Sequence, residues 1–422
     1  MNNLNKNKNK SIIFHIDFDS YFVSAIRTIR PELKNKPVAV GRKNKKFLAT
    51  SISYELKNKG LKTGMNNYEI LKVEPKTIFV EGHFDLYTTL STKIFNYIIE
   101  NYSPLISVIS IDECYLDVTS RVVSLNQAYK LAQKLQFEIL QKFDIPITIG
   151  ISHNCFFAKM TTNINKPFGI GMTTKENYQK HFFDLPIENF YGIGKSSAQK
   201  LKEMGILTIR DLSETKIDTF QFKSILGINY RKWIENLNPN HYDHIIIKEE
   251  IPKGIGNEVT FTDYNLTKDQ IFAELKKLIQ LVTMRCKRKK LIGNVIVLNV
   301  RHINKKWQSK QKKISFYTND YDEIIKIIWY LYNQNFKDQK IIGIGIRIND
   351  LIYEFHKEVN LNLFNNNFSN NNNNNEIQSI INLVNRKSNK VAITTLQEFN
   401  QFKILENKAN KFSLDGFVFK KR

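Results

Sequence analysis

The sequence predicts an α+β protein of several domains, and three observations support this fold class. First, the chain has 422 residues, more than one ordinary hydrophobic core accommodates, so about two to four domains are expected. Second, strand-like and helix-like segments are mixed up to about residue 175, whereas residues 184–240 contain only short helical segments separated by glycines. Third, residues 251–350 follow the order β-α-β-β-α-β.

The charge of the chain indicates a polyanionic partner. Sixty-three Lys and Arg residues against 40 Asp and Glu residues give a net charge of +23 with histidine neutral. Nucleic acid is the commonest partner of so basic a chain, and an anionic membrane surface is the second. Hydrophobic residues make up 42% of the sequence, so we expect the chain to fold rather than to be disordered throughout.

The cysteines and the N-terminal residues indicate a cytoplasmic protein. Cys114, Cys155 and Cys286 lie far apart, without the spacing of a disulfide framework or of a zinc site, so a reducing compartment is expected. The first ten residues are polar and no run of 18 apolar residues exists, so neither a signal peptide nor a membrane span is predicted.

The chain is predicted to begin with a flexible basic tail, residues 1–10, followed by a strand. Residues 11–18 (SIIFHIDF) alternate with the period of a strand, which places Ile13, His15 and Asp17 on one face. We interpret His15, like His153 and the three cysteines, as a structural residue.

Three further strands and a helix are predicted before residue 175. The runs 105–111 and 114–119 meet at Asp112-Glu113, which predicts a hairpin, and the next segments are a strand over 145–152 and a helix over 154–167.

Residues 176–240 are predicted to form a compact all-helical module, and 241–250 a linker. In the segment after the linker, Thr267 and Gln270 have the spacing of a capping box ahead of an apolar helical stripe. The β-α-β-β-α-β order of this segment is the ferredoxin-like arrangement, with predicted strands at 255–262, 294–300, 314–318 and 340–348 and a second helix at 321–334.

The C-terminal part changes character. Nine of the eleven residues 365–375 are asparagine, which predicts a solvated low-complexity linker. Residues 376–422 are treated as a C-terminal tail without a fold prediction.

Acidic residues at strand ends suggest a metal site. Asp17 and Asp19 share one face of the first strand, and Asp112 and Glu113 occupy the hairpin tip. Carboxylates that converge at a sheet edge repel each other unless cations lie among them, and such hard oxygen ligands suit Mg²⁺. Two such ions would support an in-line phosphoryl displacement. The alternative for each residue alone is a helix cap or a solvated turn, the commoner role of aspartate.

Six segments, in this order, carry a family resemblance: HIDFDSYF, SVISIDECYLDVT, GISHNCFFAKMTTNINKPFGI, LPIENFYGIGKSSAQKLKEMGI, GIGNEVTF and IIGIGIRINDL. They resemble the motifs of the Y-family translesion DNA polymerases of the DinB/UmuC type, over about residues 11–352. The resemblance implies a right-hand polymerase with a palm (11–23 and 83–175), fingers (24–82), a helix-hairpin-helix thumb (176–240) and a ferredoxin-like little finger (251–355).

The resemblance also implies an activity. Such an enzyme adds deoxynucleotides to a primer 3′-OH under the direction of a template, with low fidelity, across DNA lesions and without a proofreading exonuclease. The expected partners are primer-template DNA and deoxynucleoside triphosphates, and the expected state is a monomer. A non-catalytic DNA-binding relative and a palm-fold nucleotide cyclase are the alternatives from other classes. The intact acidic residues argue against the first, and the thumb and basic little finger argue against the second.

By the same resemblance, Asp17, Asp112 and Glu113 are the catalytic metal ligands, assisted by the backbone carbonyl of Phe18. The implied cofactor is a pair of Mg²⁺ ions, for which Mn²⁺ can substitute. Phe22 stands at the steric-gate position, where its ring would clash with a ribose 2′-OH. Its alternative role is that of a core aromatic residue, the usual place of phenylalanine.

Tyr54, Lys57 and Lys166 match the residues that hold the incoming triphosphate. Lys57 stands where many members have arginine, so the charge is kept but bidentate phosphate binding is lost. Ile26 is a second departure, because the family usually has glutamate at this position.

DNA contacts are expected from two places. Gly192, Gly194 and Lys195 lie at a turn into a helix whose free N–H groups can bind a phosphate, although a simple tight turn is the alternative. Between Arg285 and Lys313 there are eleven Lys and Arg residues and no acidic residue, which fits contacts to the DNA backbone. From this cluster we select Arg285, Arg288, Lys289 and Arg301.

The segment 356–375 contains a candidate clamp-binding peptide. NLNLF, residues 360–364, resembles the short Gln-Leu-x-Leu-Phe peptide by which bacterial polymerases bind the sliding clamp, although Asn360 replaces glutamine. Leu361, Leu363 and Phe364 are the expected contacts. The alternative is the end of a strand of the preceding domain.

Overall fold

The structure is a computed structural model that describes residues 11–41, 48–215, 220–227, 235–236, 238–245, 251–261 and 265–356. The predicted tail (1–10), the clamp peptide with its asparagine tract and the predicted C-terminal tail lie outside the described residues. The chain divides into two compact units, one up to Lys248 and one from Glu249. The finer division into palm, fingers and thumb remains a prediction.

The first unit is a mixed α/β structure. Its described strands are β1 (Ile13–Phe18), β2 (Val38–Gly41), β3 (Ala49–Ile52), β4 (Ile78–Glu81), β5 (Ile106–Val108), β6 (Glu113–Asp117), β7 (Ile147–Ser152) and β8 (Ile170–Met172). Its described α-helices include α1 (Tyr21–Ile29), α2 (Tyr54–Lys57), α3 (Asn67–Val73), α4 (Phe84–Asn101), α5 (Leu125–Phe143), α6 (Cys155–Asn165), α7 (Tyr178–Phe182), α8 (Lys195–Glu203), α9 (Ile209–Glu214) and α10 (Phe220–Leu226).

The central sheet of this unit has the strand order β5-β6-β1-β7-β8. Strand β1 is antiparallel to both neighbours, and all six of its residues are buried because it lies in the middle of the sheet. The predicted hairpin is confirmed, since β5 and β6 pair antiparallel around the turn that ends at Asp112. The sheet therefore carries the acidic residues of two distant segments on neighbouring strands.

Helix α6 packs against this sheet over β7 and β1. It begins after Asn154, whose side chain accepts a hydrogen bond of 2.7 Å from the Phe157 N–H. A Cβ atom at Gly150 in β7 would lie only 2.1 Å from the carbonyl oxygen of Ala158, so glycine is required where the helix crosses the strand. This close approach brings Lys159 of α6 over β1.

Two smaller parts complete the first unit. The sheet β3-β2-β4 packs with α2 and α3 around a separate apolar cluster that includes Ile52, Leu56 and Ile70. The all-helical stretch predicted from the glycine-punctuated sequence contains α7 to α10, and its apolar cluster, which includes Leu201 and Leu212, also contains Phe157 of α6.

Part of the predicted linker is attached to the first unit. The Asp243 carboxylate accepts a hydrogen bond of 2.7 Å from the Cys155 N–H at the start of α6, and Asn154 donates to the His241 carbonyl. Ile245 is buried against Ile13 and Ala158.

The second unit has the predicted β-α-β-β-α-β order. Its elements are β9 (Gly254–Thr260), α11 (Lys268–Arg288), β10 (Leu291–His302), β11 (Trp307–Thr318), α12 (Tyr321–Asn335) and β12 (Ile341–Tyr353). The capping box is confirmed, since Gln270 N–H donates to Thr267 Oγ1 at 3.3 Å and Thr267 N–H donates to Gln270 Oε1 at 2.8 Å. The strand order is β11-β10-β12-β9 with antiparallel neighbours, so β12 lies between the two strands that α11 connects.

Strand β11 is longer than predicted. The sequence indicated a strand only over 314–318, but pairing with β10 begins at Trp307. The added residues are polar or exposed because β11 is an edge strand with little cover on either face, so they lack the apolar alternation from which strands are recognised. Among all the described residues, no helix is both long and apolar enough to cross a membrane.

Candidate active site

The segments that carry the three predicted metal ligands meet at one end of the central sheet. Asp17 near the end of β1 is the antiparallel partner of Glu113, the first residue of β6. Asp112 directly precedes β6, and its carbonyl oxygen accepts a hydrogen bond of 2.8 Å from the Phe18 N–H. Backbone pairing therefore fixes the segments that carry all three carboxylates.

Two lysines contact these carboxylates. The Lys159 Nζ lies 2.5 Å from Glu113 Oε2 and 3.2 Å from Asp17 Oδ2, and the Lys166 Nζ lies 2.6 Å from Asp17 Oδ1. Lys159 is buried on α6, whereas Lys166 follows the last residue of that helix. The sequence assigned Lys166 to the triphosphate but gave Lys159 no role. The sequence feature that linked Lys159 to this site was its spacing of seven residues from Lys166, because residues seven apart share a helix face.

His15 also belongs to this group. Ligand atoms of His15, Asp17 and Glu113 all lie within 4.8 Å of one another. The His15 Nδ1 is 2.9 Å from Thr162 Oγ1, and its Nε2 is 3.7 Å from Glu113 Oε2. Our interpretation of His15 as structural did not anticipate this position, although the strand period places it on the same face as Asp17. Burial, with the charge of Lys159, lowers the pKa of His15 to about 4.

The two neighbouring acids of the hairpin have opposite pKa shifts. Burial and the negative charge of Asp17 raise the pKa of Asp112 to about 6. Burial alone would also raise the pKa of Glu113, but the nearby His15 imidazole and the charge of Lys159 hold that pKa well below its usual range. The negative charge of Glu113 is thus compensated by Lys159, whereas burial and Asp17 make the charged form of Asp112 unfavourable. Hard oxygen donors with excess negative charge fit a divalent cation.

Asp19 is not grouped with the metal ligands. Its carboxylate accepts hydrogen bonds from Thr148 Oγ1 at 3.0 and 2.9 Å, from Phe168 N–H at 2.8 Å and from the Tyr54 hydroxyl at 3.1 Å. The first strand ends at Phe18, so Asp19 turns toward these donors instead of continuing the strand face. Its oxygens position Tyr54 and the segment after α6.

Tyr54 and Lys57 lie on the short helix α2 and face the same region. The Lys57 Nζ is 4.2 Å from the centroid of the Tyr54 ring, a cation–π contact. Burial and the nearby charge of Lys166 lower the pKa of Lys57. The three residues predicted to hold a triphosphate thus lie near one another, with Lys166 in contact with Asp17 and Tyr54 in contact with Asp19.

Phe22 is half-buried on the first turn of α1, and its ring stacks on Tyr87 of α4. The sequence did not predict the contact of Phe22 with Tyr87, because the two residues lie on different helices and are 65 positions apart in the chain.

Ile26, the departure from the family's glutamate, is fully buried on α1. We expect Ile26→Glu to lower the free energy of unfolding by about 3–5 kcal/mol, because an unpaired carboxylate would be placed in the core. Chemical denaturation of the variant measures this change. Ile29→Glu is the matched control on the same helix, since Ile29 is 56% exposed and should tolerate the charge. Equal stability of both variants would contradict the buried position of Ile26.

The predicted thumb contacts lie at the start of α8. Gly192 has a φ of 103°, a conformation that favours glycine, and Gly194 precedes the helix without a side-chain cap. Lys195, the first helical residue, is exposed. The N–H groups of this first turn are therefore not bonded by a capping side chain.

The basic residues of the second unit differ in their surroundings. Arg285 is half-buried and donates a hydrogen bond of 3.1 Å to the Gly256 carbonyl, and Arg301 donates one of 3.0 Å to Thr260 Oγ1. Both therefore connect to strand β9. Arg288 is exposed at the end of α11, and Lys289 follows it.

Comparisons with known proteins identify the family of the chain. Residues 16–163 match the impB/mucB/samB family, and residues 252–363 match the C-terminal domain of that family. DNA polymerase IV of Oceanobacillus iheyensis is 31% identical over 345 residues, 81% of each chain. DNA polymerase IV of Ureaplasma parvum serovar 3 is 32% identical over 361 residues, which cover 85% of this chain and 99% of its own.

Solved structures give the same result. The Y-family DNA polymerase chimera Dbh-Dpo4(243-245)-Dbh has a TM-score of 0.70 at 26% identity and covers 81% of this chain and 99% of its own. The insertion ternary complex of Dbh DNA polymerase, with the same identity and coverage, has a TM-score of 0.59. Both the sequence relatives and the fold neighbours thus cover most of the chain, which belongs to the Y family of DNA polymerases, in its DinB-type branch.

Proposed function

We propose that this Y-family member is a template-directed DNA polymerase that adds deoxynucleotides to a primer 3′-OH and continues across damaged template bases. Low fidelity and the lack of a proofreading exonuclease are typical of the family. The observation that carries the proposal is the pairing of Asp17 with Glu113 on neighbouring strands, with Asp112 beside them and Lys159 and Lys166 around them. A non-catalytic relative would not need this set of acids.

The family uses divalent metal ions, and we assign two Mg²⁺ ions to Asp17, Asp112, Glu113 and the carbonyl of Phe18. The position of Asp112 directly before Glu113, which pairs with Asp17, supports the assignment, because a cation would relieve the repulsion among these carboxylates. When bound, such ions activate the attacking hydroxyl and stabilise the leaving oxygen of an in-line displacement. Mn²⁺ has the same ligand preference and is expected to substitute.

The chain's own residues bind and orient the nucleotide. A triphosphate next to the carboxylates would be bound by Lys57 and Lys166 through their charge and by Tyr54 through its hydroxyl. Lys57 offers a point charge rather than the planar fork of arginine, so it binds phosphate without fixing its orientation. Lys159 holds the side chains of Asp17 and Glu113 together.

We assign the binding of primer-template DNA to the start of α8 and to the basic residues of the second unit. Gly192, Gly194 and Lys195 present the start of α8 to a phosphate, where backbone N–H groups and the helix dipole favour an anion. Contacts to the DNA backbone, which carry no sequence information, are assigned to Arg288 and Lys289. Arg285 and Arg301, each of which already donates a hydrogen bond to β9, contribute to the same contacts. A monomeric state and a cytoplasmic location remain predictions.

Primer extension on undamaged and lesion-bearing templates tests the proposed function. We expect full-length products on the undamaged template and bypass products on the damaged one, without degradation of a mismatched primer end. A replicative polymerase that stops at the lesion is the control. Failure to extend the undamaged primer would contradict the proposal.

Recruitment to a sliding clamp is proposed for the peptide around Leu361, Leu363 and Phe364, which lies outside the described residues. An apolar peptide next to an asparagine tract needs a partner groove, and tethering raises the effective concentration of enzyme at the primer end.

We expect the double change Leu363→Ala and Phe364→Ala to abolish the stimulation by the clamp, so that the ratio of clamp-stimulated to clamp-free rates falls to about one. Processive synthesis with and without clamp measures it. Phe368→Ala, in the asparagine tract, is the matched control. If both rates fell together, the residues would belong to a domain core, and recruitment by this peptide would be wrong.

A further inference from the structure

The carboxylate of Asp19 joins three segments that are distant in the sequence. Asp19 directly follows β1 and is only 2% exposed. Its Oδ1 accepts a hydrogen bond of 3.1 Å from the Tyr54 hydroxyl on α2, and its Oδ2 accepts one of 2.8 Å from the Phe168 N–H beyond α6. The buried Thr148 hydroxyl on β7 lies 3.0 and 2.9 Å from the two oxygens and anchors the carboxylate to the sheet.

The contact with Phe168 restrains the segment that carries Lys166. Phe168 has a φ of 52°, in the left-handed region that a residue with a side chain rarely adopts. Its N–H donates to Asp19, and its carbonyl accepts a hydrogen bond of 3.2 Å from the Gln136 side chain, so its backbone is held on both sides. Lys166 lies two residues earlier and reaches Asp17. The bond to Asp19 therefore helps to fix the backbone from which the Lys166 side chain starts.

The contact with Tyr54 restrains a second residue assigned to the triphosphate. Helix α2 has only four residues, and its last residue, Lys57, packs on the Tyr54 ring. A tyrosine hydroxyl has a single proton, which Tyr54 here donates to Asp19. Phosphate oxygens next to the carboxylates are acceptors, so the Tyr54 hydroxyl has to redirect its hydrogen bond from Asp19 to a phosphate when a nucleotide binds.

We propose that Asp19 is a positioning residue for the incoming triphosphate. It holds Tyr54 and the Lys166 segment in place before binding, and a phosphate oxygen then replaces it as the acceptor of the Tyr54 hydroxyl. The proposal rests on the assignment of Tyr54 and Lys166 to the triphosphate. Groups that are held in the binding geometry beforehand need not be ordered when the ligand arrives, and affinity increases for this reason. Asp19 itself binds neither the phosphates nor a metal ion.

The test measures the affinity of a deoxynucleoside triphosphate, with Mg²⁺, for the enzyme bound to a primer-template whose primer lacks the 3′-OH. The nucleotide then binds without reacting. We expect Asp19→Ala to weaken this binding by about 10- to 100-fold, the factor that corresponds to a hydrogen bond to a charged group. Affinity for the primer-template should stay unchanged. Asp19→Ser replaces Asp19→Ala if the alanine variant is unstable to heating, since one hydroxyl satisfies only part of the three donors.

Asp117→Ala is the matched control for the loss of a buried carboxylate. Asp117 is 4% exposed and accepts hydrogen bonds from the N–H and hydroxyl of Thr119 in its own turn. Its truncation removes buried hydrogen bonds without touching Tyr54 or the Lys166 segment. Nucleotide affinity should therefore stay at the wild-type value, and a loss as large as that of Asp19→Ala would overturn the proposal.

Asp19→Asn separates positioning from metal binding. The amide oxygen can accept from the Phe168 N–H, while the amide N–H can donate to the Tyr54 oxygen and leave the Tyr54 proton for a phosphate. We expect this variant to bind the nucleotide at least as tightly as the wild type and to retain incorporation on a normal primer. A loss of incorporation as large as that of Asp112→Asn would make Asp19 a metal ligand and overturn the proposal.

A double-mutant cycle with Tyr54→Phe tests the route by which Asp19 acts. In the Tyr54→Phe background, Asp19→Ala should weaken nucleotide binding by a smaller factor, because no hydroxyl is left to position. An equal factor with and without the Tyr54 hydroxyl would contradict the proposal. Failure of the proposed function is recognised separately, since the wild type would then bind the nucleotide without extending a normal primer.

Discussion

Asp112→Asn is expected to abolish nucleotide incorporation, with a loss of at least about 1,000-fold in rate, because several kcal/mol of transition-state stabilisation by bound metal would disappear. The same result is expected for Asp17→Ala and Glu113→Ala. Affinity for primer-template should stay near normal, since it comes mainly from lysines and arginines. Single-turnover incorporation and a DNA-binding titration measure the two effects.

Asp117→Asn is the matched control for these variants. Asp117 is a buried carboxylate on the same strand β6, but it accepts hydrogen bonds from the N–H and hydroxyl of Thr119 and lies at the opposite end of the strand. Its amide variant should retain incorporation. Normal extension by Asp112→Asn with Mg²⁺ would show that the metal site has been assigned to the wrong carboxylates.

Phe22→Ala is expected to admit ribonucleotides. Discrimination against a single hydroxyl by an apolar side chain amounts to roughly 100-fold, so the preference for deoxynucleotides should fall by about that factor. Most deoxynucleotide incorporation should remain, because the Phe22 ring is assigned to exclude the ribose hydroxyl and takes no part in the chemical step. The ratio of kcat/KM values for the two nucleotide classes is the measurement.

Phe137→Ala controls for the general loss of an aromatic ring. Phe137 lies on α5 and is 64% exposed, so its truncation should leave both sugar selection and stability unchanged. If Phe22→Ala behaved like this control, Phe22 would be a core aromatic residue and no gate.

The local structure around the candidate catalytic residues was predictable where it depends on one continuous segment of the sequence. The strand that carries Asp17 and the hairpin that carries Asp112-Glu113 follow from strand periodicity and from a turn, both of which are local patterns. The capping box of α11 was predictable for the same reason. Roles for individual residues came mainly from the family resemblance, because a spacing of carboxylates alone also fits turns and caps.

Contacts between distant elements were not predictable. Lys159 approaches Glu113 only because α6 crosses β7 at Gly150, and Tyr87 reaches Phe22 only because α4 packs beside α1. His15 was placed on the correct strand face, but its position beside Glu113 depends on the register of β6 against β1. Asp19 was expected on the same strand face as Asp17, but the strand ends at Phe18, so Asp19 lies outside it.

Single-nucleotide incorporation on four primer-templates that differ only in the templating base tests the central claim most directly. The account predicts that the wild-type chain, supplied with Mg²⁺, adds the complementary deoxynucleotide preferentially on each of the four templates and adds none when the metal is chelated. Addition of the same nucleotide on all four templates, or no addition at all, would contradict a template-directed polymerase at the Asp17, Asp112 and Glu113 site.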